Sequence, residues 1–201
     1  MATAMHDRIL EGAGTLCFRM GFARVRVEEI ARYLGISKKT IYNHFQSKDE
    51  LFERVVESNI AAILAGLDER AKATEVEFTA KLRTILQYVV RELRARSAVL
   101  FATDRPPNQL FRDRMVAVIR AKVVELTERL FEEGKASGAV RNDIVPGILP
   151  YVYMSLIEGT FQLCEDANPP YRPEELILEA LRISLVGVLS RTEAERLTVE
   201  A

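Results

Sequence analysis

The 201-residue sequence has no tryptophan, two cysteines, two histidines, seven prolines and ten glycines, and its formal charge is nearly balanced at −1. Each scarcity excludes something. Cys17 and Cys164 lie far apart and form no C-x-x-C pair, which argues against a thiolate zinc site or a redox motif, so both read as core residues. Neither His6 nor His44 follows a Glu by three positions, so a di-iron carboxylate bundle would lack its Glu-x-x-His pairs. A Gly-rich phosphate loop and a nucleophile elbow are also missing, so we expect neither an enzyme nor a metal or cofactor. Apolar runs stay far short of a membrane span. The first ten residues have no apolar segment behind a basic start, so we expect no signal peptide and a cytoplasmic location. With 48% hydrophobic residues and little Gly or Pro, disordered and collagen-like classes are excluded as well.

The near-neutral total conceals an asymmetry. Residues 1–48 carry eight Lys and Arg against four acids, a net +4, which leaves −5 for the remaining 153. A basic head on an acidic body is the pattern expected when one small region meets a polyanion, although an excess of four charges can also arise by chance.

Helical periodicity runs through the chain, and no alternating strand pattern of useful length is present. Ile9, Ala13, Leu16 and Met20 predict a first helix stopped at Gly21. Val27, Ile30, Ala31 and Leu34 predict a short second one stopped at Gly35, and Ser37 is placed to cap a third in which Ile41 and Phe45 face inward. Ser47-Lys48-Asp49-Glu50 has the form of a capping box at the head of a long amphipathic helix reaching Leu67. Further stripes cover Phe78–Leu93 and Phe111–Leu130, interrupted by Asp104-Arg105-Pro106-Pro107-Asn108 and closed by Gly134 and Gly138. Pro146 and Pro150 stand where the next helix begins, Asn168-Pro169-Pro170 ends it, and Pro173-Glu174-Glu175 opens the last. The expected class is all-α, with about nine helices.

Residues 27–45 form the informative unit: a short helix, a tight turn at Gly35-Ile36-Ser37 and another short helix, which together make a helix-turn-helix. With Ile41 set inward, Lys39 and Asn43 fall on the opposite face of the third helix, and Thr40 and Tyr42 flank it. That face is polar, partly basic and headed by Lys38 and Lys39. Lys donates to guanine edges, Asn pairs with adenine and Thr reaches a base or a thymine methyl, whereas the plainer alternative is a solvated helix face.

Residues 5–52 resemble the DNA-binding domain of the tetracycline-repressor-like (TetR) family of bacterial regulators. The resemblance rests on Gly21-Phe22, Val27-Glu28-Glu29-Ile30-Ala31, Leu34-Gly35-Ile36-Ser37, Thr40-Ile41-Tyr42-Asn43-His44-Phe45 and Ser47-Lys48-Asp49-Glu50-Leu51. It implies that Lys38, Lys39, Thr40 and Asn43 face the groove while Tyr42, His44 and Lys48 hold phosphates. The free N–H groups at the head of the fourth helix favour the same role for Lys48. One position departs from the family pattern: Arg26 stands where Ser or Thr is usual. Either the cap is missing there or Arg26 replaces it with a phosphate contact, and Glu29 is expected to lack its usual partner. His6 is expected to be a solvated terminal residue.

On these grounds residues 1–47 form the DNA-binding domain, and residues 48–201 a helical effector-binding and dimerisation domain. The last helix is apolar around most of its circumference and needs cover on two sides, by its own body and a second subunit or by one large monomeric core. The dimer reading places Tyr151, Met154, Ser155, Ile183, Ser184, Leu185, Val186 and Gly187 at the interface of a symmetric homodimer. Leu86, Val90, Phe101, Phe111, Met115, Val118 and Tyr153 are candidates to line an apolar effector pocket, with plain core packing as the alternative for each. The leading functional expectation is a repressor released from a pseudo-palindromic DNA operator by a small-molecule effector. A DNA-binding regulator without an effector comes second, and a helical scaffold or enzyme with an idle helix-turn-helix is a distant third.

Overall fold

A computed structural model describes the backbone of residues 2–21, 24–74, 76–100, 109–145, 147–167 and 170–199. Nine helices run among the described residues: α1 Ala2–Met20, α2 Val27–Leu34, α3 Lys38–Tyr42, α4 Lys48–Ala71, α5 Phe78–Leu100, α6 Gln109–Ala136, α7 Leu149–Ala167, α8 Pro173–Val188 and α9 Arg191–Val199. The all-α class read from periodicity is the class that forms. None of the described helices is long and apolar enough to cross a membrane.

The chain divides into two compact units. The first comprises residues 1–62 and 95–115. In it α1 buries Ile9, Ala13 and Cys17, one turn apart, while Met20 remains 37% exposed. The expected stripe is corrected at Met20 only: Leu16 is half-buried, and the row at four-residue spacing ends instead on Cys17, itself an expected core residue. Burial pushes the Cys17 thiol up to about 11, with the positive charge of Lys48 acting the other way, so it stays a neutral core group. Also buried in this unit are Ile30 and Ala31 of α2, Ile41 and Phe45 at α3, and Leu51, Phe52, Val55 and Val56 of α4.

The second unit comprises residues 63–94 and 116–201. Its core joins Phe78 and Leu82 of α5, Phe131 of α6, Ala139 and Val140, Leu149 and Tyr153 of α7, and Val188 and Leu189. Leu86, Leu181, Leu185 and Val186 pack partly against it. Of the two glycines expected to close α6, Gly134 lies inside the helix, which runs on to Ala136, and Gly138, whose φ of 74° favours glycine, turns the chain just beyond its end. Val140 and Leu189 form an isolated antiparallel bridge, with Arg141 N donating to Val188 O at 3.1 Å and Ser190 N to Ala139 O at 2.8 Å. Helix α9, which no apolar stripe announced, is tied back by a hydrogen bond from Thr79 to Glu193. Pro173 occupies the first position of α8, where its missing N–H costs nothing.

Candidate nucleic-acid interface

Local chemistry sets the angle between α2 and α3. At Gly35 the backbone turns left-handed with φ 66°, and Ile36 N donates back to Ala31 O at 3.0 Å, closing the end of α2. Two residues later Ser37 caps α3: its Oγ accepts from Thr40 N at 3.0 Å and pairs with the Thr40 hydroxyl at 2.9 Å. Ile30 and Ile41, each 1% exposed, then lock the corner from inside. The result is a helix-turn-helix whose buried face is apolar and whose outer face is polar.

On that outer face Lys38, Lys39, Tyr42 and Asn43 are exposed, and Thr40 is half-buried with its hydroxyl engaged by the cap. Helix α3 ends at Tyr42, and Asn43 follows as its C-cap, still right-handed at φ −73°. His44 is half-buried, as is Lys48, the first residue of α4. Around Lys48, Ser47 Oγ accepts from Glu50 N at 3.0 Å, while the Glu50 carboxylate reaches one residue further back than in a standard box, to Gln46 N at 2.6 Å.

Two expectations need correction here. Glu29 does have a partner: its carboxylate accepts the backbone N–H of Arg26 at 2.7 Å. Half of a capping box therefore survives although Arg26 brings no hydroxyl, because that half needs only the Glu29 side chain and the Arg26 backbone. Nor is His6 simply solvated. Its ring stacks on Phe45 at 4.8 Å between centroids and meets the His44 ring edge-on at 6.3 Å.

The structure also shows supporting residues that sequence reasoning passed over. Arg8 Nη2 donates to Leu34 O at 2.7 Å, satisfying a carbonyl at the end of α2. A Cβ on Gly12 would lie 2.6 Å from Leu34 Cδ2, so any larger residue there would make the Leu34 side chain shift. Glu28 holds Lys38, with Lys38 Nζ donating to Glu28 Oε1 at 2.7 Å. None of these contacts has a local spacing signature.

Comparison with known proteins decides what this arrangement is. Residues 9–55 match the family described as bacterial regulatory proteins, tetR family. The helix-turn-helix segment is thus a tetR-family DNA-binding segment. The chain is a helix-turn-helix DNA-binding transcriptional regulator. Among curated relatives, the chain is 27% identical to the nucleoid occlusion factor SlmA of Aliivibrio fischeri, across 84% of its own length and 88% of SlmA. Among solved structures it shares the fold of a TetR-family transcriptional regulator from Agrobacterium tumefaciens, at TM-score 0.66 and 19% identity, covering 94% of this chain and all of that one. It likewise shares the fold of SmeT, the repressor of a Stenotrophomonas maltophilia multidrug efflux pump, in complex with triclosan, at TM-score 0.65 and 19% identity, with 94% of each chain covered.

The other candidate residues lie as follows. Phe111 is buried and Met115 half-buried in the first unit. In the second unit Leu86 packs on the core, Val90 is half-buried and Val118 is 44% exposed. Tyr153 sits in that core, where burial pushes its phenol up and a hydrogen bond with Ser184 acts against the rise. Phe101 lies outside the described residues. A depression of about 250 Å³ in the same unit is lined by Thr127, Glu128, Phe131, Glu132, Gly147, Leu149 and Pro150, and so involves none of the candidates. Among the residues assigned to a dimer interface, Tyr151, Ser155, Ile183 and Gly187 are exposed, Ser184, Leu185 and Val186 half-buried and Met154 buried.

Proposed function

We propose that the protein acts as a homodimeric repressor that reads a pseudo-palindromic operator through α3 and is released by a small, mostly apolar effector. One observation carries the reading: the α2–α3 corner buries Val27, Ile30, Ala31 and Ile41 and leaves Lys39, Tyr42 and Asn43 exposed on its outer face, within the segment that matches the family. In this reading Lys38, Lys39, Thr40 and Asn43 read bases, while Arg26, Tyr42, His44 and Lys48 grip phosphates. Residues 1–47 serve as the DNA-binding domain, and residues 48–201 bind the effector and dimerise. Support for dimerisation comes from α7 and α8, where Tyr151 is 75% and Ile183 61% exposed and a Cβ at Gly159 or Gly187 would meet nothing within 4 Å. A face of small and large apolar residues left uncovered in one chain suits a second copy. Support for an effector comes from the fold shared with SmeT bound to triclosan. The site of action is the cytoplasm, where the DNA is.

The test is a gel shift with DNA from upstream of the protein's own gene, repeated with candidate metabolites and with small molecules that co-purify and are identified by mass spectrometry. A retarded band that a ligand abolishes is the expected result. A band that no ligand moves favours the second reading, a DNA-binding regulator without an effector that acts through protein contacts or DNA architecture. The likeness to a nucleoid occlusion factor over 84% of the chain favours that alternative.

A further inference from the structure

The two lysines that head α3 are not equivalent. Lys39 is exposed and enters no ion pair among the described residues, whereas Lys38 Nζ lies 2.7 Å from Glu28 Oε1 with both side chains about half exposed. Glu28 belongs to the first turn of α2 and is not needed there as a cap, because Glu29 already accepts the Arg26 N–H. The Lys38 bond holds the Glu28 carboxyl below its usual range, and the charges of Lys38 and Arg26 add to the effect. A carboxylate thus stands between two cations assigned to DNA, on a surface that must approach phosphates. An exposed ion pair adds little to stability, so folding alone does not explain an acid in this place.

We propose that Glu28 is a specificity-setting residue: it tethers Lys38 across the helix-turn-helix corner, so that Lys38 is withheld from indiscriminate phosphate contact and offered to the base edges in one orientation. This rests on the reading that the outer face of α3 meets DNA. A lysine on a free four-carbon stem reaches any nearby phosphate, which raises affinity for every sequence equally. Held by Glu28, it loses that freedom and contributes where a guanine edge is correctly placed.

The experiment compares Glu28→Gln, Lys38→Gln, the double variant and Lys39→Gln in the full-length protein. Binding is measured by fluorescence anisotropy, from about 50 to 200 mM salt, on two duplexes of about 30 base pairs, one of random sequence and one selected with the wild-type protein. Glu28→Gln should bind the random duplex more tightly and discriminate less between the two. Its log-log salt slope should steepen by about 0.9, a loss about three- to fourfold larger across that salt range, as expected for one extra phosphate contact. In the Lys38→Gln background the same change should leave slope and discrimination almost untouched, because the tethered group is gone. An equal effect of Glu28→Gln in both backgrounds would reduce Glu28 to a simple repulsive charge and overturn the proposal, as would no effect in either. If Lys39→Gln weakens binding while Glu28→Gln does nothing, only the tether fails. If neither lysine variant changes binding, the α3 reading fails and takes the tether with it. Thermal unfolding of all four variants, expected to match wild type closely, confirms that binding and not folding has changed.

Discussion

The α2–α3 pair and the α7–α8 pair solve opposite problems. At the first, Ile30, Ala31, Ile41 and Phe45 are each no more than 5% exposed, and what is left outside is charged or polar apart from the rings of Tyr33 and Tyr42. At the second, Leu185 and Val186 pack partly on the unit's own core while Tyr151 and Ile183 stand largely in water. One pair is complete within a single chain and keeps its surface for polar recognition. The other buries only part of its apolar surface, and the remainder is available to another molecule. Apolar content alone does not distinguish the two; which side of each helix is covered does.

Four experiments can break or sharpen this contrast. Phe45→Ala should produce the largest effect, about 3–5 kcal/mol of lost stability, because a fully buried ring leaves a cavity and His6 loses its stacking surface. Chemical denaturation would measure it, and a loss under 1 kcal/mol would mean that the corner is less closed than its burial indicates. Next comes Ile183→Glu, a cleaner probe than a charge at Leu185 or Val186, which would also damage the core. It should weaken self-association by about a hundredfold or more, some 2.7 kcal/mol, and sedimentation velocity should show monomer. An unaltered dimer would move the interface away from this face.

Within the first region, Asn43→Ala should relax preference at one base pair by about 1–3 kcal/mol, whereas Lys48→Ala should weaken binding to all duplexes alike and flatten the salt slope by about 0.9. Reversed outcomes would exchange the two assignments. The smallest effect belongs to the second unit, where Asp68 of α4 accepts from Lys122 and Arg129 of α6 at 2.8 and 3.1 Å and pairs with Lys72. The bond from Lys122, then those from Lys72 and Arg129, hold its carboxyl well below the ordinary 3.8. Since the folded-state value is the depressed one, its stabilising contribution is complete above 3.8 and is lost as pH falls further. The melting temperatures of wild type and Asp68→Asn should therefore converge progressively below that pH, and a constant gap would assign the effect to something other than this carboxylate.

The first region was the more legible because its signals are local. Gly35, Ser37 and the inward Ile41 act within a few residues of one another, so turn chemistry and period could be read together. The boundary of α6 was harder, since a glycine is tolerated inside a helix and Gly134 resembles the true stop at Gly138. Helix α9 carries charged residues and few apolar ones; what holds it is Thr79, 114 positions away. Met20 reads as part of the buried row because apolar residues three and four apart look equally helical until a neighbour selects the row. Pocket and core candidates share a composition, so Leu86 and Tyr153 could not be sorted by pattern. The Glu28–Lys38 pair spans ten positions and exists only because α2 and α3 meet at a corner.

The bridge between Val140 and Leu189 has an engineering consequence. It makes the stretch from Arg141 to Val188, which contains α7 and α8, begin and end at adjacent points within the second unit, with Arg141 N bonded to Val188 O. A segment whose ends already meet can be exchanged as one piece, since the splice sites need no new linker and no change in the path of the flanking chain. A transplanted version must keep Leu149, Tyr153 and Val188, which face the host's core. The outward positions of the cassette, Tyr151, Ser155 and Ile183 among them, are exposed and open to rewriting, so on the proposed dimer orthogonal partners could be bred from one scaffold by changing who pairs with whom while α3 is left alone.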